Sequence, residues 1–237
     1  MPENPKLPLF VALDVDDLRV ARQTMDTLTG VVDAIKIGPR LYAQGGTPFL
    51  KEIMDHGFKL FLDLKFHDIP NTVRLAVETL CDMGIYCLTM HSSGGRRMME
   101  ECVAARDRLG SDLKLLGFTV LTSFSEEGWA EVSGHSIAES IRRRAKLCAD
   151  CGMDGLVCSP LDLPIVNEVA PKLIKVVPGV RLVAGGDDQS RVATPADAFR
   201  AGADYIVMGR PIYKAPDVRV AVDAITKSIQ EGLSCRK

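Results

Sequence analysis

Charged side chains interrupt several short apolar runs in the first third of the chain. Asp63 and Lys65 lie two residues apart in the run 59–65, and Asp14 and Lys36 lie at or near the ends of two earlier runs. Because alternate residues of a strand share a face, we expect Asp63 and Lys65 to point the same way. That pair alone could also be a structural ion pair. Four charges in aliphatic runs, however, each carry a desolvation cost that packing does not offset, so the pattern predicts a functional site.

A second set of residues, late in the chain, is typical of phosphate binding. Gly179 is closely followed by Arg181, and Gly209 directly by Arg210, with the glycine-containing segment 185–189 between them. Glycines allow backbone N–H groups to approach an anion, and an arginine presents a planar fork of donors. An ordinary turn beside a solvated arginine would explain one such glycine-arginine step, that is, one glycine followed closely by an arginine. Two steps on neighbouring predicted strands indicate a phosphorylated substrate.

Eight short apolar runs rich in Val, Ile and Leu recur along the chain, each followed by a longer amphipathic stretch. We interpret them as strands at 9–14, 34–38, 59–65, 87–91, 115–122, 155–159, 175–180 and 205–210. Their continuous hydrophobicity is typical of parallel strands that are covered on both faces. Eight strand-helix units in a chain near the roughly 250 residues of a TIM (β/α)8 barrel predict that α/β fold, as a single domain over 1–237. An open Rossmann-type sheet is the alternative, but no GxGxxG motif follows the first run.

The barrel prediction specifies where the chemistry should occur. In TIM barrels the active site lies at the carboxyl ends of the strands, and the ends of strands 7 and 8 are the usual phosphate site. The candidate charges and the glycine-arginine steps both fall at such ends. Helices are expected between the strands, for example at 17–28 with Asp16 or Asp17 as its cap, at 70–83 and at 195–203.

The composition argues against several classes of protein. Lys and Arg total 29 against 31 Asp and Glu, a net charge of −2, which leaves no positive excess for binding nucleic acid. No signal peptide or membrane span is predicted. The seven cysteines, an odd number scattered in apolar segments, favour a reducing cytoplasm. His67 and His91 belong to no HExxH or HxH pair and no GxSxG is present, so neither a metal site nor acyl transfer is predicted.

Together, these motifs resemble those of the orotidine 5'-phosphate decarboxylases of the bacterial type. The matching residues occur in the family's order: Lys36, Asp63-x-Lys65-x-x-Asp68 followed by Ile69-Pro70-Asn71-Thr72, then Pro178-Gly179-Val180-Arg181, Asp187-Asp188-Gln189 and Gly209-Arg210. The resemblance extends over about 9–225. DxKxxD alone marks a wider superfamily, whereas the full set is far more specific. One departure is Val177, where many relatives have Thr, at a position that is not an expected ligand.

The resemblance implies decarboxylation of orotidine 5'-phosphate to uridine 5'-phosphate in pyrimidine biosynthesis, without a metal or an organic cofactor. It makes Lys65 the proton donor and places Asp63 beside the substrate carboxylate. Lys36, which also belongs to the Lys/Asp charge array, and Asp14 are expected to contact the ribose, and Thr122 the pyrimidine. The phosphate is expected to be held by Arg181, Gln189, Gly209 and Arg210, with Gln189 bridging toward the base.

The resemblance also implies a homodimer in which Asp68 and Thr72 reach into the partner subunit's site. Two alternatives stay open at this point. A magnesium-dependent sugar-phosphate decarboxylase or aldolase of the same superfamily shares DxKxxD but holds its metal partly through a Glu on strand 2, where this chain has Lys36. A non-catalytic phosphate-binding protein would have no use for a carboxylate that faces an anionic ligand.

Overall fold

Eight parallel strands form a closed barrel, in which each strand pairs with its neighbours in chain order and the last pairs with the first. The computed structural model describes residues 4–182 and 193–236. The strands are β1 (Leu9–Leu13), β2 (Ala34–Ile37), β3 (Lys59–Phe66), β4 (Cys87–His91), β5 (Lys114–Phe118), β6 (Gly155–Val157), β7 (Ile174–Val177) and β8 (Tyr205–Met208). The predicted TIM (β/α)8 barrel is therefore confirmed.

Helices follow the strands along the described parts of the chain and pack on the outside of the barrel. They are α1 (Leu18–Leu28), α2 (Pro39–Asp55), α3 (Pro70–Cys81), α4 (Gly95–Arg108), α5 (Glu126–Ser133), α6 (Ile137–Asp150), α7 (Leu163–Val169), α8 (Pro195–Arg200), α9 (Arg210–Tyr213) and α10 (Val218–Ser234). At least one helix separates each pair of consecutive strands. That alternation gives every strand the crossover connection that parallel pairing requires.

Local capping and glycine turns set the ends of the predicted helices. Asp17 caps α1 by accepting a hydrogen bond from the backbone N–H of Val20 at 2.8 Å, which agrees with the helix expected at 17–28. The other two helices, α3 and α8, end earlier than expected, at 81 rather than 83 and at 200 rather than 203. In both cases a glycine of positive φ follows, Gly84 or Gly202, and turns the chain toward the next strand.

Aromatic side chains fill the amino-terminal half of the barrel interior. The Phe10 ring lies in the middle, with its centroid 5.2 Å from that of Phe61, 5.9 Å from Tyr86 and 5.4 Å from Tyr205. The two tyrosine hydroxyl groups lie 3.1 Å apart and share a hydrogen bond, so neither polar end is left unpaired in the core. Because this packed layer closes one end of the barrel, a ligand cavity can form at the opposite, carboxyl-terminal end.

Strands β5 and β7 end earlier than the sequence predicts. β5 stops at Phe118 rather than at Thr122, and β7 stops at Val177 rather than at 180. Pairing ends there on both sides of each strand, because β5 has its last partners at His91 of β4 and Val157 of β6, and β7 has its last partners at Val157 of β6 and Ile206 of β8. Thr122 therefore lies on the loop after β5, and residues 178–181 lie on the segment after β7.

All seven cysteines are free thiols, and six of them are buried. Across residues 4–182 and 193–236, no helix combines the length and the apolar character needed to cross a bilayer.

Gly155 at the start of β6 provides a test of how tightly the barrel wall is packed. A Cβ added there would lie 2.4 Å from the backbone oxygen of Ile174 and 2.9 Å from Leu116 Cδ2. We expect Gly155→Ala to lower the free energy of unfolding by about 1–3 kcal/mol, because backbone cannot move aside as a flexible side chain can. The measurement is urea-induced unfolding followed by circular dichroism.

The matched control is Gly128→Ala in α5, where the added Cβ would meet its nearest neighbour, Ser125 Oγ, at an ordinary 3.5 Å. That variant should be slightly more stable than the unchanged protein, by about 0.5–1 kcal/mol, since alanine is the better helix former. Equal unfolding midpoints for Gly155→Ala and the unchanged chain would contradict the packing argument.

Candidate active site

A cavity of about 600 Å³ opens at the carboxyl ends of the barrel strands. Its wall includes residues of β1, β2, β3, β5, β6 and β8 and of the segments that follow β5, β7 and β8. Eight of the predicted catalytic and substrate-binding residues line it: Asp14, Lys36, Asp63, Lys65, Thr122, Arg181, Gly209 and Arg210. The cavity therefore brings the early charged residues and the late glycine-arginine steps into one site.

Asp63 lies between two ammonium groups at the centre of the charged side of the cavity. Lys65 Nζ is 2.8 Å from Asp63 Oδ1, and Lys36 Nζ is 3.2 Å from Asp63 Oδ2. The residue is buried, with 7% of its surface exposed, so solvent screens these contacts little. Each carboxylate oxygen thus has its own cation, and the three side chains form one continuous charge array.

The surroundings of Asp63 hold it in the ionised state. Burial raises the pKa of this carboxyl group, but the positive charges of Lys36 and Lys65 oppose it, as do hydrogen bonds from Lys65 and Thr89. The pKa of Asp63 lies below its usual value as a result. Since the carboxylate stays charged at neutral pH, it remains the counter-ion of both ammonium groups.

The backbone of β3 changes at Lys65, which the alternation rule does not anticipate. Lys65 has φ of +50°, and within the described part of the chain it is the single non-glycine residue with positive φ. The pairing with β4 also shifts register there, because it advances from Leu62 to Phe66 on β3 but only from Leu88 to Met90 on β4. The prediction that Lys65 and Asp63 face the same site is confirmed by their contact, yet a bulge rather than a regular pleat creates it.

The Phe118 ring lies beside the Lys65 ammonium, a contact that sequence reasoning missed. Lys65 Nζ lies 4.9 Å from the centroid of the Phe118 ring, within the range of a cation–π contact. His91 packs against the same ring, at 5.5 Å between centroids. Burial, together with neighbouring positive charges such as Arg144, lowers the pKa of His91 to about 4. The imidazole is thus neutral near pH 7 and adds no positive charge beside Lys65.

The opposite wall of the cavity carries the glycine-arginine steps. Gly209 lies so close to β1 that a Cβ there would be 2.8 Å from the backbone oxygen of Ala12. Tyr213, which sequence reasoning also missed, donates a hydrogen bond from its hydroxyl to the backbone oxygen of Asp14 at 3.2 Å. These contacts fix α9, and with it Arg210, against the end of β1.

Arg181 enters the same wall from the segment after β7. Its backbone N–H donates a hydrogen bond to the backbone oxygen of Ala193 at 2.9 Å, so the two described ends on either side of residues 183–192 lie together. Gln189, the remaining predicted phosphate ligand, and the rest of the segment 185–189 fall outside the described residues.

Asp68 and Thr72 do not line the cavity of their own barrel. Both are exposed, Asp68 on the loop after β3 and Thr72 in the first turn of α3. Asp68 accepts a hydrogen bond at Oδ1 from the backbone N–H of Ile69 at 2.6 Å, and the Ile69 side chain beside it is 66% exposed. The two predicted site residues therefore lie on the surface of the chain, with an exposed apolar side chain next to them.

Comparison with known proteins places this geometry in a family. Residues 7–225 match the family described as "Orotidine 5'-phosphate decarboxylase / HUMPS family". The chain is 40% identical over 227 residues to "Orotidine 5'-phosphate decarboxylase" of Pseudomonas putida (strain GB-1), covering 94% of this chain and 97% of that protein. It is 42% identical over 216 residues to the protein of the same name from Neisseria meningitidis serogroup C (strain FAM18), covering 90% and 88%.

Solved structures agree with this assignment. The structure described as "Orotidine 5'-phosphate decarboxylase from Lactobacillus acidophilus" superposes with a TM-score of 0.82 at 33% identity, covering 94% of this chain and 99% of that one. An uncharacterized conserved protein from Geobacillus kaustophilus superposes with a TM-score of 0.80 at 28% identity, covering 94% and 100%. With sequence, fold and cavity in agreement, the chain belongs to the orotidine 5'-phosphate decarboxylase / HUMPS family.

Proposed function

We propose that this protein converts orotidine 5'-phosphate to uridine 5'-phosphate and carbon dioxide, with Lys65 as the proton donor and without a cofactor. The observation that carries the proposal is the ammonium group of Lys65, held 2.8 Å from the buried carboxylate of Asp63 inside the cavity. The family to which the chain belongs includes relatives named for this reaction. The substrate has an anion at each end, a carboxylate and a phosphate, and the cavity has cationic side chains on two of its walls.

The chemistry explains why a fixed cation is needed. When the bond between ring carbon 6 and the carboxylate carbon breaks, its electron pair remains on carbon 6, in the ring plane, where the ring carbonyls delocalise it poorly. Carbon dioxide leaves, and a proton from Lys65 Nζ then forms the new C–H bond. A preorganised ammonium beside carbon 6 stabilises the negative charge as it develops and supplies the proton over a short distance.

Asp63 would act as the counter-ion that holds the Lys65 ammonium in place, while Lys36 pairs with the other carboxylate oxygen. An unpaired lysine in a partly buried site tends to lose its proton, which would remove both its charge and its catalytic proton. An ion pair at 4 Å is worth about 4 kcal/mol at an effective dielectric constant of 20, before desolvation is subtracted. In the proposed complex Asp63 also faces the substrate carboxylate, so repulsion between the two is relieved as carbon dioxide leaves.

The remaining predicted contacts complete the proposed substrate complex. Lys36 and Asp14 would bind the ribose, and Thr122 would hydrogen-bond to the pyrimidine. Arg181, Gly209 and Arg210 would hold the phosphate, together with Gln189. Because the phosphate is remote from the reacting carbon, its binding energy can order the substrate without stabilising the carboxylate that must leave.

The charge at strand β2 separates this proposal from the magnesium-dependent alternative. That chemistry requires an anionic metal ligand where this chain has Lys36, whose ammonium is already 3.2 Å from Asp63 Oδ2. A divalent cation bound by Asp63 would have to displace or approach that ammonium, which like-charge repulsion opposes. We therefore favour the cofactor-independent decarboxylation.

The exposed positions of Asp68 and Thr72 support a homodimer as the active form. In the proposed dimer the two residues of each subunit would complete the cavity of the other, with the exposed Ile69 covered by the contact. We further propose one catalytic domain over 1–237 and a cytoplasmic location, where free thiols stay reduced.

Replacing Lys65 with alanine should abolish catalysis while preserving the fold. We expect Lys65→Ala to lower turnover of orotidine 5'-phosphate at least about 1,000-fold, because both the stabilising charge and the proton are lost. The fall in ultraviolet absorbance of the orotate ring measures the rate. Lys114→Ala is the matched control, since Lys114 also lies over an aromatic ring, 5.2 Å from the centroid of Tyr86, but at the amino-terminal end of β5. Substantial turnover by Lys65→Ala would rule out its role as proton donor.

Replacing Arg210 should affect only substrates that carry the phosphate. We expect Arg210→Ala to lower kcat/KM for orotidine 5'-phosphate about 10- to 100-fold, the effect of losing a hydrogen bond to a charged group. Orotidine, which lacks the phosphate, should react equally slowly with the variant and the unchanged protein. Arg200→Ala serves as control, because Arg200 pairs with Asp197 on the exposed surface of α8. An equal loss with both substrates would contradict phosphate binding by Arg210.

Mixing two inactive variants tests the shared site. If Asp68 acts in the partner's cavity, a mixed dimer of Lys65→Ala and Asp68→Ala subunits contains one site with both residues and one with neither. Dissociating and reassociating equal amounts should therefore restore roughly a quarter of the unchanged activity, since about half of the dimers are mixed. No recovery, with mixed dimers demonstrated by a tag on one subunit, would show that Asp68 serves its own barrel or none.

A further inference from the structure

Thr89, in the middle of β4, is a fully buried hydroxyl that contacts the charge array without lining the cavity. It is 0% exposed. Its Oγ1 donates a hydrogen bond to Asp63 Oδ1 at 2.8 Å and accepts one from the backbone N–H of Lys65 at 3.0 Å. The direction of both bonds is fixed, because an ionised carboxylate can only accept and a backbone N–H can only donate. One hydroxyl therefore links the carboxylate to the backbone of the lysine it pairs with.

The bulge in β3 creates the need for this hydroxyl. Between Leu62 and Phe66 the ladder to β4 shifts register, and the Lys65 N–H bonds to the Thr89 side chain instead of a backbone oxygen. The φ of +50° at Lys65 is a conformation that costs an ordinary residue free energy, so the surrounding contacts must hold it. A side chain bound to the Lys65 N–H supplies such a contact at the strained residue itself.

We propose that Thr89 is a positioning residue, which holds the Lys65 backbone in its left-handed conformation and orients the Asp63 carboxylate toward the Lys65 ammonium. The inference deepens the proposed function and rests on it, because the effect on turnover assumes that Lys65 is the proton donor. Thr89 does not touch the substrate cavity, so its contribution to catalysis passes through the two residues it binds.

The proposal predicts a specific pattern of loss when the hydroxyl is removed. Thr89→Val keeps the shape of the side chain but leaves the Lys65 N–H and one Asp63 oxygen short of a partner. We expect kcat to fall about 10- to 100-fold, while KM for orotidine 5'-phosphate changes little, because the phosphate wall lies on other strands. Thr89→Ser keeps the hydroxyl and should restore most of the activity.

A matched control separates positioning from general core damage. Thr119, directly after β5, is also fully buried, and its hydroxyl donates to the backbone oxygen of Val157 at 3.1 Å, away from the charge array. Thr119→Val makes the same chemical change one strand further round the barrel. It should lower stability but leave the pH dependence of turnover as in the unchanged protein.

A purely structural role of Thr89 would leave the pH dependence of turnover unchanged, so this dependence distinguishes positioning from core packing. Asp63 is faced by Lys36 from β2, by Lys65 on its own strand, and by Cys87 and His91 from β4. Because Thr89 donates to the charged form of Asp63, its loss should raise the pKa of that carboxyl group. The acidic limb of the kcat profile should therefore move to higher pH in Thr89→Val and stay in place in Thr89→Ser and in Thr119→Val.

A second readout does not depend on activity. A carboxyl group whose pKa is lower in the folded than in the unfolded state stabilises the fold at pH values above the unfolded-state pKa. That contribution is lost as the pH falls through the folded-state pKa. The stability deficit of Thr89→Val in urea unfolding should accordingly be larger at pH 7 than at pH 3, whereas that of Thr119→Val should be the same at both. If Thr89→Val does not fold, Thr89→Ala, which removes the same hydroxyl, takes its place in both measurements.

These measurements separate a failure of the proposed function from a failure of the role proposed for Thr89. An unchanged protein that does not decarboxylate orotidine 5'-phosphate would refute the proposed function, and the unfolding experiment would still test Thr89. Active protein with equal kcat and equal pH profiles for Thr89→Val and the unchanged chain would overturn the positioning role. A stability deficit of Thr89→Val that equals that of Thr119→Val at every pH would likewise show that Thr89 is an ordinary core residue.

Discussion

Removing the Asp63 carboxylate from water is unfavourable, and the site exists only because its neighbours offset that cost. Two ammonium groups, at 2.8 and 3.2 Å, and the Thr89 hydroxyl, at 2.8 Å, occupy its oxygens. The same contacts also position Lys65, because the buried carboxylate is the counter-ion of the ammonium group that the proposed reaction uses. Replacing Asp63 by an apolar group would leave both ammonium groups without a counter-ion, and replacing either lysine would leave one carboxylate oxygen without its cation, so the array functions as a unit.

The closed barrel is what brings these partners together from separate places in the sequence. Lys36, Asp63 and Thr89 lie on β2, β3 and β4, which are adjacent in the sheet, and parallel pairing aligns their carboxyl ends. Below them, the Phe10 and Phe61 rings and their tyrosine neighbours fill the interior. A packed layer of this kind has few alternative arrangements, so charges placed above it hold their geometry without reorganising during the reaction.

The sequence predicts the barrel and most of the cavity because both depend on local patterns. Apolar runs mark the strands, and charges or glycines at their ends mark the cavity, as Asp63 and Gly209 illustrate. It does not predict the bulge at Lys65, since register between β3 and β4 depends on contacts across the sheet. The sequence did contain a signal for Thr89, which is the lone hydroxyl residue within the run 87–91. Its partner, however, could be identified only once β3 and β4 were paired. The sequence contained no signal for Phe118, because an aromatic residue inside an apolar run is most simply core.

The two walls of the cavity are built differently, and this difference suits the two tasks proposed for them. The charges lie on or directly after strands, where pairing and the bulge restrict each backbone to one conformation. Arg181 and Arg210 lie beyond the ends of β7 and β8, on segments anchored by contacts such as the Arg181–Ala193 hydrogen bond. A reacting centre must be held within a fraction of an ångström, whereas an anion can be bound by the ends of long side chains that extend from an anchored backbone. In the proposed complex, binding energy gained at the phosphate wall would bring the substrate carboxylate close to Asp63, a contact that the loss of carbon dioxide would relieve.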